Sequence, residues 1–112
     1  MKTNDIIKLR TRKLYSDAAN HILVGRVIEY NKVFLELECK AFHYKSFMVD
    51  TDRMIESTEE TRIVPWSNVE CINILNEGFN WKEAQIVQGL DGVYLDDHGE
   101  KPALLCRTRV TH

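Results

Sequence analysis

The 112-residue chain has little of what breaks or punctuates structure: two prolines, five glycines and no low-complexity tract. No apolar run approaches the roughly 20 residues of a membrane-spanning helix, and Met1-Lys2-Thr3-Asn4-Asp5 does not read as a secretory leader, so no membrane partner is expected. An excess of basic charge is also missing. The 15 Lys and Arg against 17 Asp and Glu leave a formal net charge of −2, which argues against a wholly basic nucleic-acid binder but leaves room for a local basic patch. The three cysteines, Cys39, Cys71 and Cys106, are far apart and odd in number. Two of them fall on apolar strand patterns, which predicts buried, reduced thiols and a cytoplasmic setting. Cys39 and His43 have no CxxC and no second histidine at ligand spacing, so no metal site is expected. A Gly-rich phosphate loop, a nucleophile elbow and an HExxH motif are all absent, and neither an enzyme nor a cofactor is expected. Asp96-Asp97-His98 with Glu100 is the one cluster resembling metal ligands or acid–base groups, and such acidic turns are usually just solvated.

What is present is strand pattern. Ile22 to Ala41, ILVGRVIEYNKVFLELECKA, reads as two consecutive strands joined at Tyr30-Asn31-Lys32. In the second, Val33, Leu35, Leu37, Cys39 and Ala41 share one face and Glu36, Glu38 and Lys40 the other, predicting a sheet packed on one side and wet on the other. In the first, Ile22, Val24, Ile28 and Tyr30 share a parity opposite to Leu23, Gly25 and Val27. Gly25 inside a strand predicts a bulge or a sharp bend where backbones approach closely. Strand-like sequence continues through FHYKSFMVD, far beyond the usual 5–6 residues, and its apolar parity is lost around Phe42–Phe47. A strongly bent strand, or a break near His43–Ser46, would resolve both problems.

Residues 3–15 are open to two readings. Asn4 or Asp5 could cap a short helix. As a strand, the segment would turn Ile7 and Leu9 to one side and line Lys8, Arg10 and Arg12 on the other, a basic stripe suited to phosphates. Further on, Met54-Ile55 could pair weakly. Arg62-Ile63-Val64 starts a strand that Pro65 confines to an edge or turn. In Val69 to Leu75 both parities are apolar, which predicts a central strand or one in a subunit interface. Beyond it, Asn80-Trp-Lys-Glu83 matches a capping box and predicts a helix over about 81–89, with a hairpin turning at Asp91-Gly92 as the competing reading. Val93-Tyr94-Leu95 and Ala103-Leu104-Leu105-Cys106 read as strands.

Two segments carry a family resemblance. Gly25, Val27, Tyr30 and Asn31 in the first, and Ile63-Val64 followed by Ser67-Asn68-Val69 in the second, resemble the two-part signature of the Sm-like family, including its bacterial Hfq branch. The resemblance covers residues 20–75. It implies a mainly β, SH3-like small barrel of about five strongly bent antiparallel strands, with residues 76–112 as a helix or hairpin extension of one domain. It further implies a homo-oligomeric ring through edge strands, including Val69 to Leu75, that binds single-stranded RNA. In that setting Tyr30, Asn31, Trp66 and Asn68 would line the nucleotide pocket, and Lys8, Arg10 and Arg12 would meet phosphates. The chain departs from the family pattern at Val33 and Leu35, where the stacking residue and base-reading Asn would stand, and at Pro65-Trp66, which replace Arg-Gly. Such divergence suits a bacterial or phage-borne member, or a structural module that kept the ring and lost the pocket.

Overall fold

A computed structural model describes residues 1–12, 20–44, 54–99 and 101–107. These form nine strands: β1 (Ile6–Thr11), β2 (Asn20–Tyr30), β3 (Phe34–Tyr44), β4 (Ile55–Glu56), β5 (Glu60–Pro65), β6 (Val69–Ile74), β7 (Gln85–Gln88), β8 (Gly92–Asp96) and β9 (Ala103–Arg107). A 3-10 turn, Trp66–Asn68, joins β5 to β6. All ladders are antiparallel. The first six strands make one sheet in the order β4-β3-β2-β1-β6, with β5 lying on the same edge of β3 as β4, and the last three make a second sheet, β7-β8-β9. Among the described residues β5 and β6 do not pair, so the larger sheet is open rather than a closed barrel.

The strand reading of the N-terminal segment holds over Ile6–Thr11. Ile7 and Leu9 are fully buried, while Lys8 and Arg10 occupy the opposite face. The central hairpin β2–β3 follows its sequence alternation closely. Leu35, Leu37, Cys39 and Ala41 are fully buried on one face, and Glu36, Glu38 and Lys40 are half-exposed on the other. Val33, expected on the buried face, lies in the connecting loop and is 69% exposed. That loop is Asn31–Val33, slightly later than the sequence suggested.

Gly25 faces Cys39 in regular register. A Cβ at Gly25 would sit on the Glu38 carbonyl oxygen and 2.6 Å from Cys39 Cα, so the close approach expected there is present. The bulge itself falls three residues later, where the register slips between Val27 and Glu29 and leaves Ile28 unpaired. Bulges bend a strand and raise its twist. Close backbone contact at Gly25 and the slip at Ile28 together curl the sheet around its inner face.

Two cores result. The inner one gathers Ile7, Leu9, Leu23, Val27, Leu35, Leu37, Cys39, Ala41 and Val64 inside the curl, with Trp66, Val69 and Ile72 at its margin. The second lies between the outer face of the sheet and the C-terminal segment, and contains Ile22, Val24, Phe42, Tyr44, Phe79, Trp81, Val93, Leu95 and Leu105. The outer face is therefore not wet throughout. Its Glu38–Lys40 end is polar, and its Phe42–Tyr44 end is roofed. This roof accounts for the parity lost after Ala41: the buried apolar side chains pass to the outer face at Phe42 and Tyr44, while His43 on the inner face is only half-buried. Strand β3 is described as far as Tyr44, and the expected bend or break near His43–Ser46 falls partly on residues outside the described ones.

The helix expected over 81–89 is not formed. Asn80 does cap one turn: its Oδ1 accepts from the Glu83 N–H at 3.4 Å and its carbonyl from the Ala84 N–H at 3.0 Å. After that turn Gln85–Gln88 pairs with β8 in the competing hairpin, closed by the Gly89 N–H donating to the Gly92 carbonyl at 2.8 Å. Burial decides between the two. Ile86 and Val87 favour extended backbone, and pairing with β8 adds to a sheet that buries Val93 and Leu95.

Candidate functional site

The loop end of the inner core brings several of the sequence candidates together. Asn31 Oδ1 accepts from the N–H groups of Val33 (2.8 Å) and Phe34 (2.9 Å), shaping the β2–β3 turn. The Asn31 carbonyl accepts from the Trp66 indole Nε1–H at 2.6 Å, and the Trp66 N–H donates to the Val33 carbonyl at 3.1 Å. Trp66 is thus fixed against the inner core by two hydrogen bonds, with its ring partly exposed. Asn68, exposed in the same 3-10 turn, accepts from the Arg12 N–H through its carbonyl at 2.9 Å. Tyr30 is 44% exposed and donates from its hydroxyl to the Met1 carbonyl at 2.7 Å. Asn31 Oδ1, the Trp66 indole N–H and the Tyr30 hydroxyl therefore serve the fold, and what this end offers a ligand is the Trp66 ring face and exposed side chains around it.

The basic stripe divides. Arg12 sits beside Asn68, whereas Lys8 and Arg10 lie on the outer face toward the second sheet. Lys8 Nζ donates to the Leu104 carbonyl at 2.6 Å, and Arg10 donates to the Tyr44 hydroxyl at 2.7 Å. Burial holds the Lys8 ammonium below its ordinary pKa and pushes the Tyr44 phenol above its own.

Of the acidic turn, Asp96 and Asp97 are spent on backbone N–H groups, and Glu100 lies outside the described residues. Asp97 accepts from the N–H groups of Asn80 and Gly99, both at 2.9 Å, and these bonds hold its carboxyl below the usual range. Asp96 accepts from the His98 N–H at 2.9 Å, with His98 in the left-handed region at φ 64°. Among the described residues no three His, Cys, Asp or Glu side chains converge as metal ligands. No described helix is long and apolar enough to cross a membrane. Cys39 and Cys106 are buried and Cys71 is exposed. Desolvation pushes the Cys39 thiol up to about 11 and that of Cys106 upward, leaving both protonated.

One arrangement escaped the sequence reading. His21 and His43 face each other across β2 and β3, edge to face with ring centroids 4.0 Å apart. A turn centred on Asn31 sets His21 against Ala41. The later loop and the bulge at Ile28 move the register and bring the two rings together. Desolvation lowers both pKa values, assisted at His21 by Arg62 and at His43 by His21 and Arg62, with Glu60 opposing. Because the folded chain disfavours their protonation, the unfolded chain binds more protons as pH falls below 6.5. Stability is then full above that value and declines below it. Urea midpoints measured from pH 7.5 downward should fall, modestly because both rings are half-exposed, and His43→Gln should flatten the slope. An unchanged slope would locate the titration elsewhere.

The chain matches no protein-family model, no curated protein and no solved structure.

Proposed function

We propose that the protein is an Sm-like module that assembles into a homo-oligomeric ring by pairing edge strands of neighbouring copies. The observation that carries this reading is the open path β5-β3-β2-β1-β6, whose outer strands are joined in sequence by the 3-10 turn Trp66–Asn68. Both outer strands present an edge without a partner in the described chain. Ile63 on β5 and Ile74 on β6 are 63% and 58% exposed. Natural proteins blunt unpaired edges with charge, proline or cover, yet Val69–Ile74 carries one charged residue, Glu70. Pairing β5 of one copy with β6 of the next is a head-to-tail contact, which closes into a ring when the rotation between copies permits.

Single-stranded RNA is a second reading, supported by the partly exposed ring of Trp66 beside Asn31, Asn68 and Arg12, with Tyr30 next in the chain. Stacking on an aromatic contributes about 1–3 kcal/mol per base and tolerates any sequence. Against it stands the use of the Asn31 amide and the Trp66 indole inside the fold. A structural ring that has lost its pocket fits those bonds equally well.

Native mass measurement tests the ring. A discrete multiple of the 13.1 kDa protomer is expected, collapsing to the protomer when Ile63→Lys and Ile74→Lys are combined. A strictly monomeric wild type at micromolar concentration would sink the proposal. Titrating labelled oligo-U and oligo-A at two salt concentrations tests the RNA. Affinity should weaken with salt and drop about tenfold in Trp66→Ala; no binding at low salt leaves the assembly module.

A further inference from the structure

The two sheets do not meet evenly. Between β1 and β6 of the larger sheet and β9 of the smaller runs a groove of about 460 Å³, within the range of small-molecule sites. Lys8 and Arg10 form its floor, Arg107 stands at its rim, and Tyr44 and Asn73 add polar atoms. Half-buried Leu104 supplies an apolar wall, backed by the buried Ile22 and Leu105. No carboxylate lines it among the described residues.

The charge balance of this groove is unusual. The chain as a whole is slightly acidic, and several of its other cations pair with carboxylates: Arg26 and Lys82 with Glu38, Lys40 with Glu56, and Arg62 with Glu60. Among the described residues Lys8 and Arg10 have no carboxylate within ion-pair distance, and their hydrogen bonds go to a neutral carbonyl and a neutral phenol. Asp91 approaches only Arg107, at 3.8 Å and well exposed. Glu70 is near enough for its charge to act on Tyr44, but it is exposed and does not line the groove. Two half-buried cations without a counter-charge are a standing cost to the fold. An anion seated between them would offset that cost.

We propose that this groove is a binding site for a small phosphomonoester, with Lys8, Arg10 and Arg107 holding the phosphate and the Leu104 side receiving its organic part. A planar guanidinium suits two phosphate oxygens at once, and the Lys8 ammonium supplies a point charge beside it. The apolar wall favours an ester over inorganic phosphate alone. The site lies on the outer face, away from Trp66, and does not rest on the ring reading.

Amide chemical shifts of the full chain, followed during titration with inorganic phosphate, uridine 5′-monophosphate and uridine, test it. Saturable shifts in β1 and β9 are expected with both phosphates, tighter for the nucleotide, and none with uridine. Arg10→Met should weaken nucleotide binding at least about tenfold, the scale of one charge-assisted contact. Because Arg10 also bonds Tyr44, the exposed Arg107→Gln serves as a second variant that leaves the core intact and should weaken binding several-fold. Lys101→Gln, outside the groove, should bind as wild type. The proposal is overturned if neither phosphate gives saturable shifts up to about 10 mM, ten times weaker than a millimolar Kd. Unchanged affinity in both groove variants, or shifts in β1 and β9 with oligo-U but not with the mononucleotide, would overturn it equally.

Discussion

Gly25→Ala is expected to lower stability by about 2–3 kcal/mol, the upper range for forcing extra atoms into a packed core. The cause is neither glycine's flexibility nor an unusual dihedral, since no glycine in the described chain has positive φ. It is distance: the added methyl would meet the Glu38 carbonyl oxygen and the Cα and Cβ atoms of Cys39, at 2.6 and 2.7 Å. Two of those three atoms are backbone in the neighbouring strand, so no rotamer change relieves the contact. Strands β2 and β3 would have to separate where their ladder is longest and their side chains are fully buried. Denaturant unfolding checks it. A loss below 0.5 kcal/mol, within the range of ordinary surface substitutions, would mean the hairpin relaxes there without strain.

Trp81→Ala is expected to cost about 3–5 kcal/mol, as for other buried Trp or Phe truncations. Trp81 is 4% exposed and belongs to the outer core, together with Ile22, Val24 and Phe42 of the larger sheet and Val93, Leu95 and Leu105 of the smaller. The inner core contains no residue of β7, β8 or β9. The loss should therefore be uneven. Amide exchange in β7–β9 should accelerate toward the unfolded limit, while the inner-core strands β1, β2 and β3 keep most of their protection. Uniform acceleration across both sheets would show that the two cores unfold as a single cooperative unit.

The parts of this fold that are legible in the sequence are those in which one strand records its own environment. Leu35, Leu37, Cys39 and Ala41 alternate with Glu36, Glu38 and Lys40 because one face is covered and the other is not, and no distant residue is needed to see it. Phe42 and Tyr44 resist the same reading because the residues that roof them, Trp81 among them, lie far along the chain. The capping box at Asn80 and Glu83 reports correctly on one turn. It carries no information about the partner strand that turns Gln85–Gln88 into β7. The His21–His43 pair was hidden by a loop placed early and a bulge at Ile28, and a register error of that kind moves every cross-strand contact together. At the loop end, Asn31 and Trp66 are in hydrogen-bond contact and Asn68 lies in the same 3-10 turn as Trp66. What the sequence does not carry is that the side chain of Asn31 and the indole N–H of Trp66 are already hydrogen-bonded there.

The ladder between β1 and β6 sets Ile7 against Ile74, nearly the full span of the larger sheet in sequence, whereas β2 and β3 meet across a three-residue loop. Closing the longer loop carries the greater entropic cost, so the hairpin can form early and β6 docks late. The outer edge of β6 thus comes into being only once the rest of the sheet is in place. In the proposed ring, a chain whose β6 has not docked would offer its neighbour no strand to pair with, so assembly would wait on completed folding.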